Sequence, residues 1–296
     1  MPRAERSGAP RRRGLLRGLM ALALGGVLAF AVAEVAARVV WRADLAMVMR
    51  RWVDTLVRPP DDPEWYLLRP GVTLERATST CDEFSTNSLG FRDREHGPKA
   101  PGAVRIAMVG DSFTMGNFDL EDSYVPLVEK ELRSRVSDRA VDVMNGSRDG
   151  TGPAFYYRYY EKLQPLAPDV VVASIYFNDF WDDASYYELG LVETDARGLP
   201  VSIANKYPQR PSKLSRVVRK STLACKLMDW LGLSTFARGR AHFRALYGDE
   251  IVQRLRTDED WSDVVPGVLD LLLAWNGVCA ERGQQLCVVL IPTGSQ

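Results

Sequence analysis

The stretch Val104-Arg105-Ile106-Ala107-Met108-Val109-Gly110-Asp111-Ser112-Phe113-Thr114-Met115-Gly116 reads as a compact apolar strand that ends at Gly110 and breaks into a turn. Downstream, short β-type runs alternate with helical ones. Asp122-Ser123 is placed to cap a helix carrying Leu127, Val128 and Leu132, with Pro126 tolerated in its first turn. Val141 to Met144 is a second strand, and Pro153 opens a second helix that runs to about Leu163. Asp169 to Ile175 is a third strand. Val264 to Cys279 then reads as a helix and Leu286 to Ile291 as a fourth strand. Such alternation predicts an α/β fold, with a mostly parallel sheet covered on both faces. Loops at the carboxyl ends of its strands are where sheets of this kind place their chemistry.

Three of those strand ends carry reactive or donor groups. The first presents Ser112 two residues past Gly110, a position from which a hydroxyl can act as a nucleophile. The second runs into Asn145-Gly146-Ser147-Arg148-Asp149-Gly150-Thr151-Gly152, small residues that let backbone N–H groups approach a ligand closely. The third ends in Tyr176-Phe177-Asn178-Asp179 and adds an amide side chain. An attacking oxygen and donors for an oxyanion are the parts that acyl transfer requires. The plainer account makes Ser112 a helix cap and Asn178 a turn former. Nucleotide-binding loops fit worse. Asn117 follows Gly116 where a phosphate-binding loop needs Lys, no Gly-x-Gly-x-x-Gly follows a strand, and Thr114 occupies the second glycine of a Gly-x-Ser-x-Gly elbow.

On these blocks the chain resembles the SGNH hydrolases, or GDSL family, of esterases, lipases and carbohydrate deacetylases. It looks most like the membrane-anchored bacterial branch with an Asn-Ser-x-Gly-Phe-Arg element, here Asn87-Ser88-Leu89-Gly90-Phe91-Arg92. The resemblance implies a three-layer, flavodoxin-like sheet and an acyl-ester substrate, lipid or acylated carbohydrate, handled without metal or organic cofactor. It implies Ser112 as nucleophile, with its own N–H as one oxyanion donor and Asn178 as a side-chain donor, Tyr176 replacing the usual Gly of that block. Aligning Asn145 with the family Asn puts Ser147 at the place of the oxyanion Gly and Gly146 one place early, so Ser147 is preferred over Gly146. The family's Asp-x-x-His near the C-terminus, which supplies the general base, is not found after the fourth strand. The expectation is therefore a truncated copy lacking its last βα unit. The alternatives are an inactive envelope relative that binds a glycan or protein, and an O-acyltransferase.

The 296 residues are 46% hydrophobic and 26% charged with 38 basic and 38 acidic side chains, which argues against disorder and against a nucleic-acid coat. The charge is unevenly spread: Met1 to Arg17 holds six Arg against Glu5, leaving the remainder at −5. Gly18 to Ala33 then has no charged residue, and Val35 to Trp41 continues it past Glu34. Residues 1–17 read as a cytoplasmic basic tail and residues 18–41 as a transmembrane helix or signal anchor, with Glu34 and Arg38 at the far interface. A cleaved leader is the rival, since Ala29-Phe30-Ala31 and Ala31-Val32-Ala33 fit a cleavage site; a buried helix of a soluble protein is the third reading. Residues 42–103 form a stem and small extension without long helices. Residues 104–296 form the SGNH-like domain, placed outside the cytoplasm in the periplasm or at the cell surface.

Other features have bland readings. Asn87 to Asp93 is a turn that tucks Phe91 into the core. A basic helical insertion at about 180–260 includes Ile203 to Arg256, with twelve basic against three acidic residues and Leu214, Val217, Val218, Cys225, Met228 and Leu231 near helical spacing. It reads as a cap facing anionic headgroups or an acidic polysaccharide, or as a solvated face. Phe180, Trp181, Tyr186 and Tyr187 serve sugar stacking or cap packing. Asp182-Asp183 resembles a helix start, and His96 and His242 read as surface residues. Cys81, Cys225, Cys279 and Cys287 show no zinc spacing and are open to pairing or to remaining free thiols.

Overall fold

The computed structural model describes residues 9–41, 45–75, 81–206, 218, 220–231 and 265–292. In chain order the helices are α1 (Ala9–Val40), α2 (Leu45–Leu56), α3 (Ser112–Met115), α4 (Tyr124–Arg135), α5 (Pro153–Leu163), α6 (Phe177–Glu188), α7 (Thr222–Trp230) and α8 (Val265–Glu281). The strands are β1 (Thr73–Glu75), β2 (Glu83–Ser85), β3 (Val104–Gly110), β4 (Val141–Asn145), β5 (Val170–Ile175), β6 (Val192–Thr194), β7 (Pro200–Ile203) and β8 (Gln285–Leu290). They fall into two units, residues 1–48 with 211–246 and residues 49–210 with 247–296.

The larger unit is an α/β domain around a four-stranded parallel sheet of order β4-β3-β5-β8. The alternation within β3 sorts its side chains: Ala107 and Val109 go to one face, Ile106 and Met108 to the other. On the first face α5 and α8 supply Phe155, Tyr156, Tyr159, Tyr160, Leu271 and Trp275, all buried. Helix α5 is buried nearly all round, which explains its Tyr-rich sequence. On the second face Val125 of α4 packs with Met108, Val141 and Val143. Register puts Met108 beside Asn145 and Gly110 beside Ser174, so β4, β3 and β5 run out at adjoining points of one sheet edge.

The stem departs from the expectation of no long helix. Helix α2 has twelve residues, and its Trp52 and Leu56 bury against Leu68, Leu74, Cys81, Phe84 and Met115 in a small separate cluster. Strands β1 and β2 follow it in sequence and pair antiparallel, and β6 and β7 form a second hairpin. The turn at 87–93 does tuck Phe91 into the core: it is fully buried against Tyr159, with ring centroids 5.6 Å apart. Gly90 sits at φ +86°, and a Cβ there would lie 2.4 Å from the Leu68 carbonyl oxygen, so glycine is required on both counts. Asp182 and Asp183 do not start a helix. They lie inside α6, whose first turn is instead satisfied by Asp179 accepting from the Tyr176 N–H at 2.7 Å. Asp183 reaches across to accept from the Ala154 N–H at 3.0 Å, filling one of the first-turn donors of α5.

In the smaller unit, Arg17–Val40 of α1 is long and apolar enough to be a membrane anchor or a signal sequence. Its Glu34 carboxylate accepts from the Ser221 hydroxyl at 2.8 Å and from the Thr222 and Leu223 N–H groups at 2.8 and 3.0 Å, capping α7 from outside that helix. Most of the basic insertion beyond β7, including Leu214, Val217 and His242, lies outside the described residues.

Candidate active site

At the exit of β3, Asp111 turns the chain and its side chain accepts from the Phe113 N–H at 2.9 Å, setting up the short helix α3. Asp111, not Ser112, is therefore the cap. Ser112 is partly exposed, and its hydroxyl donates to Asp111 Oδ2 at 3.3 Å. Burial raises the Asp111 carboxyl above its ordinary value, only partly offset by the Phe113 N–H and the Ser112 hydroxyl.

At the exit of β4 the two candidate donors separate. The Gly146 N–H is spent on the Met108 carbonyl at 2.8 Å, as a continuation of the ladder. Gly146 also packs so closely that a Cβ would lie 2.5 Å from Leu163 Cδ1 and 3.2 Å from Val109 Cγ1. Ser147 is buried, its φ is not positive, and its N–H has no acceptor among the described residues. Its hydroxyl is likewise buried without a partner. The loop is held against the first strand by Arg148 N–H donating to the Gly110 carbonyl at 3.2 Å. Asn145 is buried, donating from Nδ2 to the Thr114 carbonyl at 3.1 Å while its Oδ1 is unpartnered.

At the exit of β5, Asn178 stands in the first turn of α6 and donates from Nδ2 to Asp182 Oδ2 at 2.9 Å, which leaves the second amide hydrogen for another acceptor. Asp179 behind it is fully buried, and burial followed by the Asp111 charge pushes its carboxyl up to about 8. Asp183 is pushed up to about 7, by burial first. The Phe113 ring, 49% exposed, lies 4.2 Å from the Tyr176 ring, which lies 4.4 Å from that of Phe177. These aromatics, next to Ser112 in sequence or at the β5 exit, pack on one another, whereas Tyr186 packs on Trp65 and Phe155.

The fold thus brings the loops of Ser112, Ser147 and Asn178 to neighbouring ends of three adjacent strands, and commits the Gly146 N–H to the Met108 carbonyl. No group of three or more His, Cys, Asp or Glu among the described residues is arranged to hold a metal ion, and no disulfide joins any of the four cysteines.

His96 overturns the surface expectation. Its side chain is 2% exposed, with Nε2 at 2.8 Å from Asp93 Oδ2 and Nδ1 at 3.0 Å from Asp142 Oδ1. The sequence did carry a signal, Asp93-Arg94-Glu95-His96, an Asp-x-x-His placed before β3 rather than at the far end of the chain. With both ring nitrogens committed, His96 is not oriented as a base for Ser112.

No family model matches the sequence, and no curated protein matches it. Among solved structures it is similar to a two-domain esterase (CEX) active on acetylated mannans, co-crystallised with mannopentaose, at 26% identity. That likeness covers 26% of this chain and 22% of the esterase, with a TM-score of 0.24. The chain thus spans under a quarter of that protein's length.

Proposed function

We propose that the chain carries the nucleophile and oxyanion groups of an SGNH-type serine ester hydrolase. In this reading the strand order β4-β3-β5-β8 is the core of a flavodoxin-like, three-layer sheet. Ser112 Oγ adds to the carbonyl carbon of an O-acyl ester and loses its proton to a base. The N–H groups of Ser112 and Ser147 and the free amide hydrogen of Asn178 stabilise the tetrahedral oxyanion. Collapse breaks the bond to the alcohol, leaves acyl-Ser112, and water or a sugar hydroxyl then takes the acyl group. The observation that carries the reading is the pairing of an accessible Ser112 with an unclaimed Ser147 N–H across the β3–β4 junction. The six Arg before the apolar run favour α1 as an anchor that leaves the α/β domain outside the cytoplasm.

In the family pattern the base is the His of a late Asp-x-x-His, absent from the end of this sequence. Phosphonylation needs the same proton to leave Ser112, but a single covalent event accumulates where turnover is too slow to register. Capture is therefore followed over hours at alkaline pH, where hydroxide takes the proton. A fluorophosphonate forms a phosphorus–oxygen bond with the serine and expels fluoride. Incubated with the full chain in detergent, it is expected to modify the peptide containing Ser112 and to leave Ser112→Ala unmodified. An unmodified wild type, or a variant modified to the same extent, sinks the assignment.

A second reading, an inactive glycan-binding relative, is favoured by the exposed Phe113 against Tyr176 and Phe177. Saturable binding of an acetylated polysaccharide by Ser112→Ala, lost in Phe113→Ala, supports it; no binding removes it.

A further inference from the structure

The turn at 87–93 does more than bury Phe91. Asn87 Oδ1 accepts from the N–H groups of Leu89 and Phe91 at 3.1 and 3.0 Å, which fixes the turn, and the next two side chains leave it toward different strand ends. Arg92 Nη1 donates to the carbonyls of Met115 and Gly116 at 3.2 and 2.8 Å and to the Ser123 hydroxyl at 3.1 Å. Its Nη2 donates to the Phe118 carbonyl and to Cys81 Sγ, the latter at 3.4 Å, and the guanidinium lies 4.7 Å over the Phe84 ring. Asp93 Oδ2 accepts from the Asn145 N–H at 2.7 Å and meets His96 Nε2 at 2.8 Å. The Asn145 amide in turn donates to the Thr114 carbonyl, so the contacts close into a ring: Arg92, the 114–116 backbone, Asn145, Asp93 and back to Arg92.

We propose that Arg92 and Asp93 are positioning residues which, from one tight turn, hold the loop carrying Ser112 and the strand end carrying Ser147 in a common frame. The proposal rests on the reading of Ser112 as nucleophile. Its physical argument is the use made of a buried charge. Arg92 is 1% exposed, and its partners among the described residues are carbonyls, a hydroxyl, a thiol and a ring face, with no carboxylate in ion-pair range. Desolvating a guanidinium that is bonded to no carboxylate and meets the Asp119 charge only at longer range is costly, and a merely space-filling role is better served by an apolar side chain. Here its Nη1 and Nη2 donors are spent largely on the segment just past the nucleophile, where they hold the carbonyls of Met115, Gly116 and Phe118, while Nε is buried without a partner among the described residues. Asp93 does the same at one point for β4, backed by His96. An oxyanion site depends on donors held to within about half an ångström, which is what such a ring provides.

The experiment compares wild type, Arg92→Met, Arg92→Lys, Asp93→Asn and Val143→Ala as full chains in detergent. Two quantities are read: the rate of Ser112 capture by the fluorophosphonate, and amide exchange across 112–123 and 145–148. Val143 lies two residues before Asn145 on β4, but its side chain packs in the cluster under α4 and makes no bond in the ring, so it controls for loss of packing alone. Arg92→Met is expected to slow capture by about tenfold or more and to speed exchange in both segments. Arg92→Lys is expected to recover part of the rate, Asp93→Asn to speed exchange at 145–148, and Val143→Ala to change neither segment. Arg92→Met with wild-type capture and exchange overturns the proposal, as does a loss of rate matched by Val143→Ala. If the wild type is not captured, the Ser112 reading fails separately. Exchange then decides the ring: an increase confined to 112–123 and 145–148 supports it, and a uniform increase or none overturns it. Should Arg92→Met not fold, Asp93→Asn and Arg92→Lys carry the same comparison.

Discussion

Gly146 and Ser147 are neighbours with opposite duties. Gly146 gives its N–H to Met108 and its missing side chain to Leu163; Ser147 keeps its N–H unclaimed. A methyl group at 146 is therefore a packing error more than a loss of a donor. Gly146→Ala is expected to destabilise the domain by roughly 1–3 kcal/mol, measured by chemical denaturation. Gly146→Ala should cost less in a Leu163→Ala background than in the wild type, because the space it needs has been vacated. If Gly146→Ala proves neutral, the tight contact with α5 is not what selects glycine there. The sequence alone could rank Ser147 above Gly146 only by alignment to a pattern. What separates them physically is a ladder bond from Gly146 to Met108 on the neighbouring strand, which no local spacing displays.

At the scale of elements, chain punctuation was the readable part. Gly110 ends β3, Pro153 opens α5 with its fixed φ, and the apolar runs at 141–144 and 170–175 fall within their strands. Helix α2 was hidden because Pro59, Pro60 and Pro63 lie just after it, though Val48, Trp52 and Leu56 recur at fourfold spacing. Asp182-Asp183 misled for a related reason. An Asp pair is a cap signal only where the backbone has not already begun to coil, and Tyr176 had already provided that start. Helix α7 shows a cap supplied from another element altogether, the Glu34 carboxylate. Glu34→Ala is expected to cost about 1 kcal/mol of local stability and to speed amide exchange at 222–225. Unchanged exchange there would show that α7 does not depend on Glu34.

For the whole molecule, buried acids set the response to pH. Asp179 titrates near 8 and Asp183 near 7 in the fold, against 3.8 for an ordinary Asp. Between those limits the folded chain keeps protons that the unfolded chain has lost, so stability falls as pH rises from about 4 to 8 and levels off above. His96 acts in the same direction. Burial lowers its affinity for a proton, but the Asp93 hydrogen bond and the Asp93 and Asp142 charges outweigh that, with Arg94 opposing, and the net shift is upward from 6.5. Its stabilisation is complete below 6.5 and is lost as pH climbs through its raised value. Thermal unfolding is therefore expected at a higher temperature at about pH 5.5 than at about pH 8.5, and both Asp179→Asn and His96→Gln should narrow the gap. A gap unchanged in Asp179→Asn would mean that this carboxyl is ionised throughout the range. The sequence shows Asp93 three places before His96 but not Asp142, which stands 46 positions away and reaches the ring through β4.

Helix α6 is fastened at two heights, by Asp179 to the exit of β5 and by Asp183 to the first turn of α5. It has no freedom to swivel about its axis without releasing one of them. Under the proposed reading, Asn178, on the same turn as the lower fastening, is therefore a stop and not a gate: its backbone is held in place, and an ester beside Ser112 meets an amide carried on a fixed stem.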